Sequence, residues 1–466
     1  MSAAVRRSFA SLEIANYRLY FGGQVVSLAG NWMQIVAELW LVLTLTGSGF
    51  LVGLATALQF AGILLLGALG GALADRFDKR RLLIVSQAGM AVPATLLFAL
   101  TAAGVVEAWM VFVVIGLRGL VLAVDNPTRQ AFVIEIVGPD RVVNAVSLNS
   151  VLVHSARIIG PAIAGAVIAL WGLAPCFGIN ALSFVAMLAA LVRMRPELLH
   201  RPKPARRHGG VRQALRHIAA RRELRVPLLL MLVLSTVGFN FQVVIPLLAD
   251  QTFSGDVSAY SLMMVAMGLG SITGALSVGT RSRVSRELIA AAAVGFGLTS
   301  LLAAAAPTLA LEMTALALLG VCSVTFAAGI NSGLQLAAAP EMRGRVMAVY
   351  SIAFLGSTVI GGPIAGWLGE AISPRAPLVA AGLAGLAVAA AAYWAWSERD
   401  TGPAPQPTGE LALEPGTGEL ALAAAQAPAP STPSRSMSTT RRGSRSRAPC
   451  QSRTLGSPSS RQPRSR

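Results

Sequence analysis

The sequence predicts an all-α membrane protein whose twelve transmembrane helices form two pseudo-symmetric six-helix bundles. Three observations predict this fold: an apolar composition, twelve apolar runs of spanning length, and basic residues confined to alternate connections. Of the 466 residues, 54% are hydrophobic and 13% are charged, and the mean hydropathy is +0.64. Since a soluble domain carries about 25% charged residues, this chain has too little polar surface to cover a water-soluble globule.

The apolar runs have the length of membrane spans, because a helix crosses the bilayer with about 20 mostly apolar residues. They cover residues 20–46, 50–74, 82–104, 108–130, 144–170, 174–194, 227–249, 258–280, 287–306, 309–334, 346–369 and 376–397. The first run is too long for a cleavable signal peptide, and no small-residue cleavage site follows it. We therefore expect it to remain as a membrane anchor.

A polar segment divides the runs six and six, so the sequence predicts five parts. They are a cytoplasmic N-terminus (1–19), an N-terminal bundle (20–194), a basic cytoplasmic linker (195–226), a C-terminal bundle (227–397) and a basic cytoplasmic tail (398–466). The tail is rich in Pro, Ser, Ala and Arg and has no sustained apolar period. That composition predicts disorder.

The distribution of basic residues predicts the orientation. With the N-terminus in the cytoplasm, the inner segments hold 25 Lys and Arg, and the outer loops hold one, Arg375. The positive-inside rule then places both termini in the cytoplasm. The net charge of +17 follows the connections and the tail rather than one groove, so we expect no nucleic-acid partner.

Two short repeats relate the halves. Gly160–Gly165 (GPAIAG) in run five is matched by Gly362–Gly366 (GPIAG) in run eleven, and the pair Asn126 and Gln130 is matched by Asn331 and Gln335. Chance similarity between helices rich in Ala and Gly is the alternative. Parallel six-helix repeats place a substrate site between the halves, near the middle of the membrane.

The residues that enzymes and metal sites require are missing from the sequence. Neither of the two lysines, Lys79 and Lys203, follows Gly or precedes Ser or Thr, as a phosphate-binding loop needs. The four histidines have no Glu or Cys at ligand spacing, and the three cysteines form neither a metal motif nor a disulfide framework. We therefore expect no enzyme activity, no metal and no cofactor.

The connection between runs two and three carries the strongest motif. Residues 71–81 read GALADRFDKRR and resemble the signature of the major facilitator superfamily in this loop. The matching positions that we assign to a conformational switch are Gly71, Asp75, Arg76, Lys79 and Arg80. Asp78 stands where the signature usually has a second glycine. The resemblance implies that Asp75 contacts a helix end and neighbouring arginines, and so latches an outward-facing state.

Run five carries a second motif. Gly160, Pro161 and Gly165 resemble the glycine-proline motif that antiporters of the superfamily carry on their fifth helix, although Gly165 stands one residue later than usual. The resemblance implies a bend and close packing, because Pro removes a backbone hydrogen bond and Gly admits a neighbouring helix. It favours export.

Longer strings are more specific. Asn31–Gln34, Asp125–Phe132, Gly238–Val244 and Arg343–Ser351 together resemble the enterobactin-exporter branch, whose members are known as transmembrane secretion effectors or multidrug exporters. The resemblance covers about residues 8–397. It implies export of siderophores or drug-like molecules across a bacterial inner membrane.

Polar residues inside the runs are candidates for proton and substrate binding, because ionisable groups in a bilayer are costly and mark pathways. The candidates for proton coupling are Glu38, Asp125 and Arg118. The candidates for the substrate cavity are Asn31, Trp32, Gln34, Gln59, His154, Arg157 and Asn240.

Structural alternatives exist for several of these residues. An ion pair with Arg118 or Arg157 that only fixes helix packing is the alternative for both carboxylates. It is favoured for Asp125, which lies beside Arg129, and it stays open for Glu38. Helix packing is likewise open for His154 and Trp32. We expect interfacial anchoring by the tryptophans near run ends, which are Trp40, Trp109, Trp171 and Trp394.

These observations together predict a proton-coupled secondary transporter that exports small amphipathic molecules by alternating access of the two bundles. Its partners would be the substrate, protons and the lipid bilayer, and we expect a monomer. The alternatives are an importer of a polar metabolite and a receptor that kept the fold but lost transport. The glycine-proline motif argues against the importer, and the intramembrane charges argue against the receptor.

Overall fold

The computed structural model describes residues 9–200, 211–253, 255–279, 281, 285–339 and 342–397. All regular secondary structure in these residues is helical, and twelve spans are long and apolar enough to cross a membrane. The predicted twelve-helix membrane fold is thus confirmed. The predicted tail lies outside the described residues, as does the middle of the predicted linker.

We number the spans 1 to 12 along the chain. Spans 1 to 6 are single helices: Ala15–Thr46, Gly49–Arg76, Lys79–Ala102, Ala108–Val137, Val142–Trp171 and Ala174–Arg193. Spans 8, 9, 10 and 12 are Val257–Gly279, Arg286–Ala305, Leu309–Ala337 and Ala376–Ser397. Short 3₁₀ helices and a linker helix lie at Ala10–Glu13, Pro139–Arg141, Pro196–Leu198 and Val211–Ala220.

Spans 7 and 11 are interrupted, which the sequence did not predict. Span 7 consists of Arg222–Val237 and Phe241–Thr252. Span 11 consists of Arg343–Ser351, a π-helical segment Ile352–Gly356, and Thr358–Ala371. Irregular backbone at membrane depth occurs where it is buried in protein or lines a cavity.

Span 4 is longer than predicted. The apolar run ends at 130, but the helix continues to Val137. Glu135 therefore lies inside the span, and Arg129, which stood at the end of the predicted run, lies well within it. Arg129 and Glu135 both form ion pairs, described below, because a charged side chain in the membrane needs a partner.

Asp78 begins span 3 as its N-cap. Its side chain accepts a hydrogen bond from the backbone N–H of Arg81 at 3.0 Å, and its φ is −61°. Since the backbone does not enter the left-handed region, the turn does not require the glycine of the superfamily signature. Aspartate is among the preferred N-cap residues, so this departure supports the start of the helix.

The two halves pack in the same way. Span 2 lies against span 4 as span 8 lies against span 10, and span 3 lies against spans 4 and 6 as span 9 lies against spans 10 and 12. The repeated amide pairs also agree, since Gln130 donates to Asn126 at 3.3 Å and Gln335 donates to Asn331 at 2.6 Å. These matching contacts support the internal repeat.

The halves meet at two interfaces that the repeat relates to each other. Span 2 packs against span 11, and span 5 packs against span 8. Glycines permit the first contact, because a Cβ at Gly53 would collide with the carbonyl of Gly362, and one at Gly49 would lie 2.8 Å from the carbonyl oxygen of Gly366. Small residues are what membrane helices use for close approach.

The two ends of the bundle differ in charge. At one end, which we call the basic face, Arg80 donates to the carbonyls of Leu191 and Val192 at 2.7 and 2.9 Å, and Arg141 lies 3.1 Å from Glu13. The other end, which we call the acidic face, holds Glu107 and Asp256 in connections and Glu370 at the end of span 11.

Trp40 is not an interfacial anchor. It is 6% exposed and stacks on Tyr260 of span 8, with ring centroids 5.8 Å apart. This contact joins the two halves near the acidic face. Trp109, Trp171 and Trp394, in contrast, are largely exposed, as expected of residues at the membrane surface.

Candidate functional site

A cavity of about 600 Å³ lies between the two halves, within the size range of small-molecule sites. The N-terminal half contributes residues from spans 1, 2 and 5, namely Trp32, Thr56, Phe60, Ser150 and Arg157. Spans 7, 8, 10 and 11 supply the larger part of the wall, including Phe239, Asn240, Phe241, Gln242, Met264, Met267, Ser271, Ser323, Asn331, Tyr350, Phe354 and Thr358. The wall is mostly apolar and aromatic, which suits an amphipathic ligand.

The interrupted parts of spans 7 and 11 meet beside this cavity. The hydroxyl of Ser235 donates to the carbonyl of Ala353 at 2.9 Å, and Ser357 donates to Ser235 at 2.9 Å. Phe239 and Phe354 pack edge to face, with centroids 5.5 Å apart. Serine side chains thus satisfy backbone groups that a regular helix would bond internally, and both breaks contribute to the cavity wall. Discontinuous helices mark the binding site in many transporters.

The cavity extends from the middle of the bundle toward the basic face. Its lining includes Val278 at the end of span 8 and Ser150 in the first part of span 5, both on the side of the basic connections. At the acidic face the halves are in contact: Glu370 Oε2 accepts hydrogen bonds from the hydroxyl of Ser48 at 2.6 Å and from the N–H of Phe50 at 3.0 Å. The structure is therefore closed at the acidic face.

Arg157 places a guanidinium group in the cavity wall. The group lies over the indole ring of Trp32, 5.0 Å from the centroid, a cation–π distance. Within the described residues, it makes no ion pair and no hydrogen bond. Of the two arginines that the sequence analysis offered as a carboxylate partner, Arg118 forms an ion pair and Arg157 forms none among the described residues, because Glu38 binds Arg118 and Asp125 binds Arg129.

A polar cluster lies inside the N-terminal half, centred on Arg118 of span 4. Its guanidinium is 2.7 Å from Glu38 Oε2 and donates to Asn31 and Gln59 at 3.1 Å each. The other Glu38 oxygen accepts a hydrogen bond from Gln34 at 2.6 Å. Three side chains from spans 1 and 2 thus contact one arginine, and a fourth, Gln34, binds its carboxylate partner.

The same cluster reaches span 6. Asn180 donates to Gln34 Oε1, so Gln34 links Asn180 to the carboxylate of Glu38. Glu38 is 1% exposed and Arg118 is 3% exposed. An ion pair at this depth is held by geometry and hydrogen bonds rather than by water, and it can respond to protonation of its carboxylate.

Asp125 is fully bonded on a different set of helices. One oxygen accepts hydrogen bonds from Ser86 and Gln87 of span 3 at 2.7 and 2.8 Å, and the other binds Arg129 at 2.7 Å. These contacts support the packing interpretation of Asp125. Lys79 and Glu135, 2.6 Å apart, form a further pair between spans 3 and 4 that the predicted end of run four at 130 concealed.

The predicted switch motif lies at the basic face. Lys79 and Arg80 tie the start of span 3 to spans 4 and 6 through the contacts given above. Arg76 lies 5.8 Å from the ring centroid of Phe77. Asp75 is exposed, and Gly71 has open space where a side chain would stand. In this conformation the motif thus holds connections of the N-terminal half together.

The glycine-proline motif of span 5 is a packing surface. A Cβ at Gly160 would collide with Trp32 of span 1, and one at Gly165 would lie 2.5 Å from Ser261 of span 8. Pro161 follows Gly160 within the helix. Span 5 therefore packs closely against span 1 of its own half and against span 8 of the opposite half.

The structure separates the seven predicted cavity residues into groups. Trp32, Arg157 and Asn240 line the cavity, whereas the polar cluster takes up Asn31, Gln34 and Gln59. The side chain of His154 lies outside the described residues. The sequence analysis missed the aromatic wall of spans 7 and 11, for which the signals were a glycine inside run seven, Gly238, and the serines of run eleven.

Comparison with known proteins decides the family. A family model described as transmembrane secretion effector matches residues 6–406. The chain belongs to this family. The prediction of the major facilitator superfamily and of this branch is confirmed, and the relatives are transporters rather than enzymes.

Three relatives illustrate the range of the family. The staphyloferrin A transporter of Staphylococcus aureus is 25% identical over 56% of this chain, which spans just under two thirds (66%) of that relative. Macrolide efflux protein A of Streptococcus pyogenes is 24% identical over 72% of this chain and 85% of its own length. The multidrug efflux pump Tap of Mycobacterium tuberculosis is 27% identical over 77% of this chain and 88% of its own length.

Solved structures share the fold. The nucleoside transporter NupG has a TM-score of 0.61 at 14% identity and covers 82% of this chain and 98% of its own. A bacterial homologue of the human lysosomal transporter Spinster, crystallised in an inward-facing and unoccupied conformation, has a TM-score of 0.64 at 13% identity, covering 82% and 96%.

Proposed function

We propose that this protein is a proton-coupled exporter of small amphipathic molecules that works by alternating access in a bacterial inner membrane. The observation that carries this proposal is the mostly apolar cavity between the halves, extending toward the basic face and closed at the acidic face. The names of three relatives, which cover siderophore transport, macrolide efflux and multidrug efflux, agree with it.

The orientation follows from the positive-inside rule, which puts the basic face in the cytoplasm. The conformation described here is then inward-facing, with the cavity extending toward the cytoplasmic side that supplies an exported substrate. Opening the acidic face requires that the contacts of Glu370 with Ser48 and of Trp40 with Tyr260 separate. The contacts of Lys79 and Arg80 hold the N-terminal half as a unit while it rocks.

Glu38 is the stronger candidate for the proton carrier. It is buried on span 1, the helix that also carries the cavity residue Trp32. Protonation would remove the charge that pairs with Arg118. Arg118 would then lose its strongest partner and keep only the amides of Asn31 and Gln59, so the cluster of spans 1, 2, 4 and 6 would rearrange. Asp125 has four hydrogen bonds and no such route, which leaves it a packing role.

Transport in inside-out vesicles tests the proposal. The vesicles come from a bacterial host without its own drug exporters, and the compounds are a neutral and an anionic amphipathic fluorescent dye. We expect proton-driven uptake into vesicles that carry the wild type, abolition by an uncoupler, and loss in Glu38→Gln. Glu107→Gln is the matched control, because Glu107 is an exposed acid bonded only locally, by Trp109 at 2.6 Å.

Each outcome decides a part of the proposal. Export without an uncoupler effect, or full activity in both Glu38→Gln and Asp125→Asn, rejects the proton role of these carboxylates. Movement of the compounds in the opposite direction supports an importer. No movement of any compound rejects the exporter assignment and favours a receptor.

A further inference from the structure

Three arginines lie away from the ends of the spans in the N-terminal half, and they differ in one respect. Arg118 pairs with Glu38 and Arg129 pairs with Asp125, each at 2.7 Å. Arg157 has no carboxylate partner among the described residues and stands in the cavity wall. A charged side chain at membrane depth is stabilised by a counter-ion, and the place of Arg157 in the cavity wall makes a bound anion a suitable one.

The other residues of the cavity wall indicate the chemistry of the rest of the ligand. Arg157 is the only formally charged residue among the described lining residues, so this wall offers no carboxylate to pair with a cation. Asn240 and Gln242 each keep a buried side-chain oxygen without a hydrogen-bond donor. The aromatic and methionine side chains of spans 7, 8 and 11 cover the remaining surface.

We propose that the cavity selects an amphipathic anion, with a carboxylate bound by the guanidinium of Arg157. The planar fork of Arg binds a carboxylate through two parallel hydrogen bonds. The apolar part of the same molecule packs on Phe239, Phe354 and the methionines. Cationic amphipathic molecules find no counter-charge.

Trp32 prepares this site. Its indole ring lies under Arg157, and its Cβ lies where a side chain at Gly160 of span 5 would stand. The guanidinium is thus oriented before the ligand arrives, which reduces the entropy that binding must overcome. Gly160 acquires a specific role, since any side chain there would displace Trp32 and the guanidinium with it.

The inference rests on the proposed function for its biological meaning, but binding tests it separately. The full-length protein in nanodiscs is titrated with dansylaminoundecanoic acid and with its methyl ester. Binding is followed by energy transfer from tryptophan to dansyl, with empty nanodiscs as background. The variants are Arg157→Gln, Arg157→Lys and, as a matched control outside the cavity, Arg193→Gln, which removes an exposed charge at the basic face.

We expect the acid to bind the wild type more tightly than the ester does. Arg157→Gln should weaken binding of the acid by about tenfold or more and change binding of the ester by less than about twofold. Arg157→Lys should retain part of the difference, because it keeps the charge without the fork, and Arg193→Gln should retain all of it.

Three results would overturn the inference: no binding of the acid, equal affinity for acid and ester, or an equal loss of both in Arg157→Gln, which would indicate that Arg157 only supports Trp32. Vesicle transport keeps the two proposals apart. If the ester is exported and the acid is not, the exporter stands and the anion site fails. If the acid binds through Arg157 and neither compound is exported, the site stands and the exporter fails.

Discussion

Single residues of the N-terminal half show how charges are placed in the membrane. The carboxylates of Glu38 and Asp125 each bind an arginine and at least one further donor, so no charge is left to the lipid. Breaking such a pair on one side leaves an uncompensated buried charge, which costs more than removing both partners. The unpaired Arg157 is the exception, and it lies in the cavity wall.

The Glu38–Arg118 pair makes a prediction about stability. Glu38→Gln should lower the free energy of unfolding by about 3–5 kcal/mol, because the buried Arg118 loses its counter-charge. The double variant Glu38→Gln with Arg118→Gln should lose less than the sum of the single variants. Reversible unfolding of the purified protein in mixed micelles measures these differences.

Glu107→Gln provides the control for this cycle and should change the free energy of unfolding by no more than about 0.5 kcal/mol, since Glu107 is exposed. Additive losses in the double variant would show that Glu38 and Arg118 do not stabilise each other.

At the scale of helices, spans 2 and 11 cross at glycines, and spans 7 and 11 are broken beside the cavity. Gly49 and Gly53 face Gly366 and Gly362 without side chains between the backbones. The two helices therefore cannot approach each other any further at this interface. The breaks supply the irregular backbone that lines the cavity.

The glycine crossing makes a prediction about transport. Gly53→Leu should reduce export to background, because its side chain would collide with the carbonyl of Gly362 and hold spans 2 and 11 apart. The same substitution at Gly116, where nothing lies within 4 Å of an added Cβ, should leave export near the wild-type rate. Rates in energised inside-out vesicles compare the two, and equal rates would show that the crossing is not close.

At the scale of the whole molecule, the halves are held together at the acidic face and separated by the cavity toward the basic face. Glu370 of span 11 caps the start of span 2 through Ser48 and Phe50. A carboxylate at a helix N-terminus is favourable because it satisfies free N–H groups. This cap joins the two halves, so it must break when the acidic face opens.

Removing the charge of Glu370 should therefore favour the conformation that is open at the acidic face. In Glu370→Gln we expect the population of that conformation to rise about fivefold, since a charge-assisted hydrogen bond is lost. Double electron–electron resonance between labels at Val105→Cys and Ala310→Cys, in a background without the native cysteines, measures the distance across this face. Glu107→Gln should leave the distances unchanged, and an unchanged distribution in Glu370→Gln would show that the cap is not a latch.

Sequence alone identified the twelve helices and the family, because the bilayer imposes span length and hydropathy on every local segment, and the loop motif at Gly71–Arg81 is contiguous. It also singled out Asn31, Gln34 and Glu38 as polar residues of one run, and the structure brings all three together around Arg118. Partners four residues apart, such as Asn126 with Gln130, were likewise within its reach.

Tertiary structure alone decided which charges meet. The rotation and spacing of distant helices bring Glu38 to Arg118 and Trp40 to Tyr260, and they leave Arg157 without a carboxylate among the described residues. One sequence carries no local signal for such contacts. The irregular part of span 11 depends on span 7, because Ser235 of span 7 satisfies the carbonyl of Ala353. Local composition determines that a segment forms a membrane helix. Only contacts between helices determine where its backbone can depart from regular helix, because the freed backbone groups need partners on a neighbouring helix.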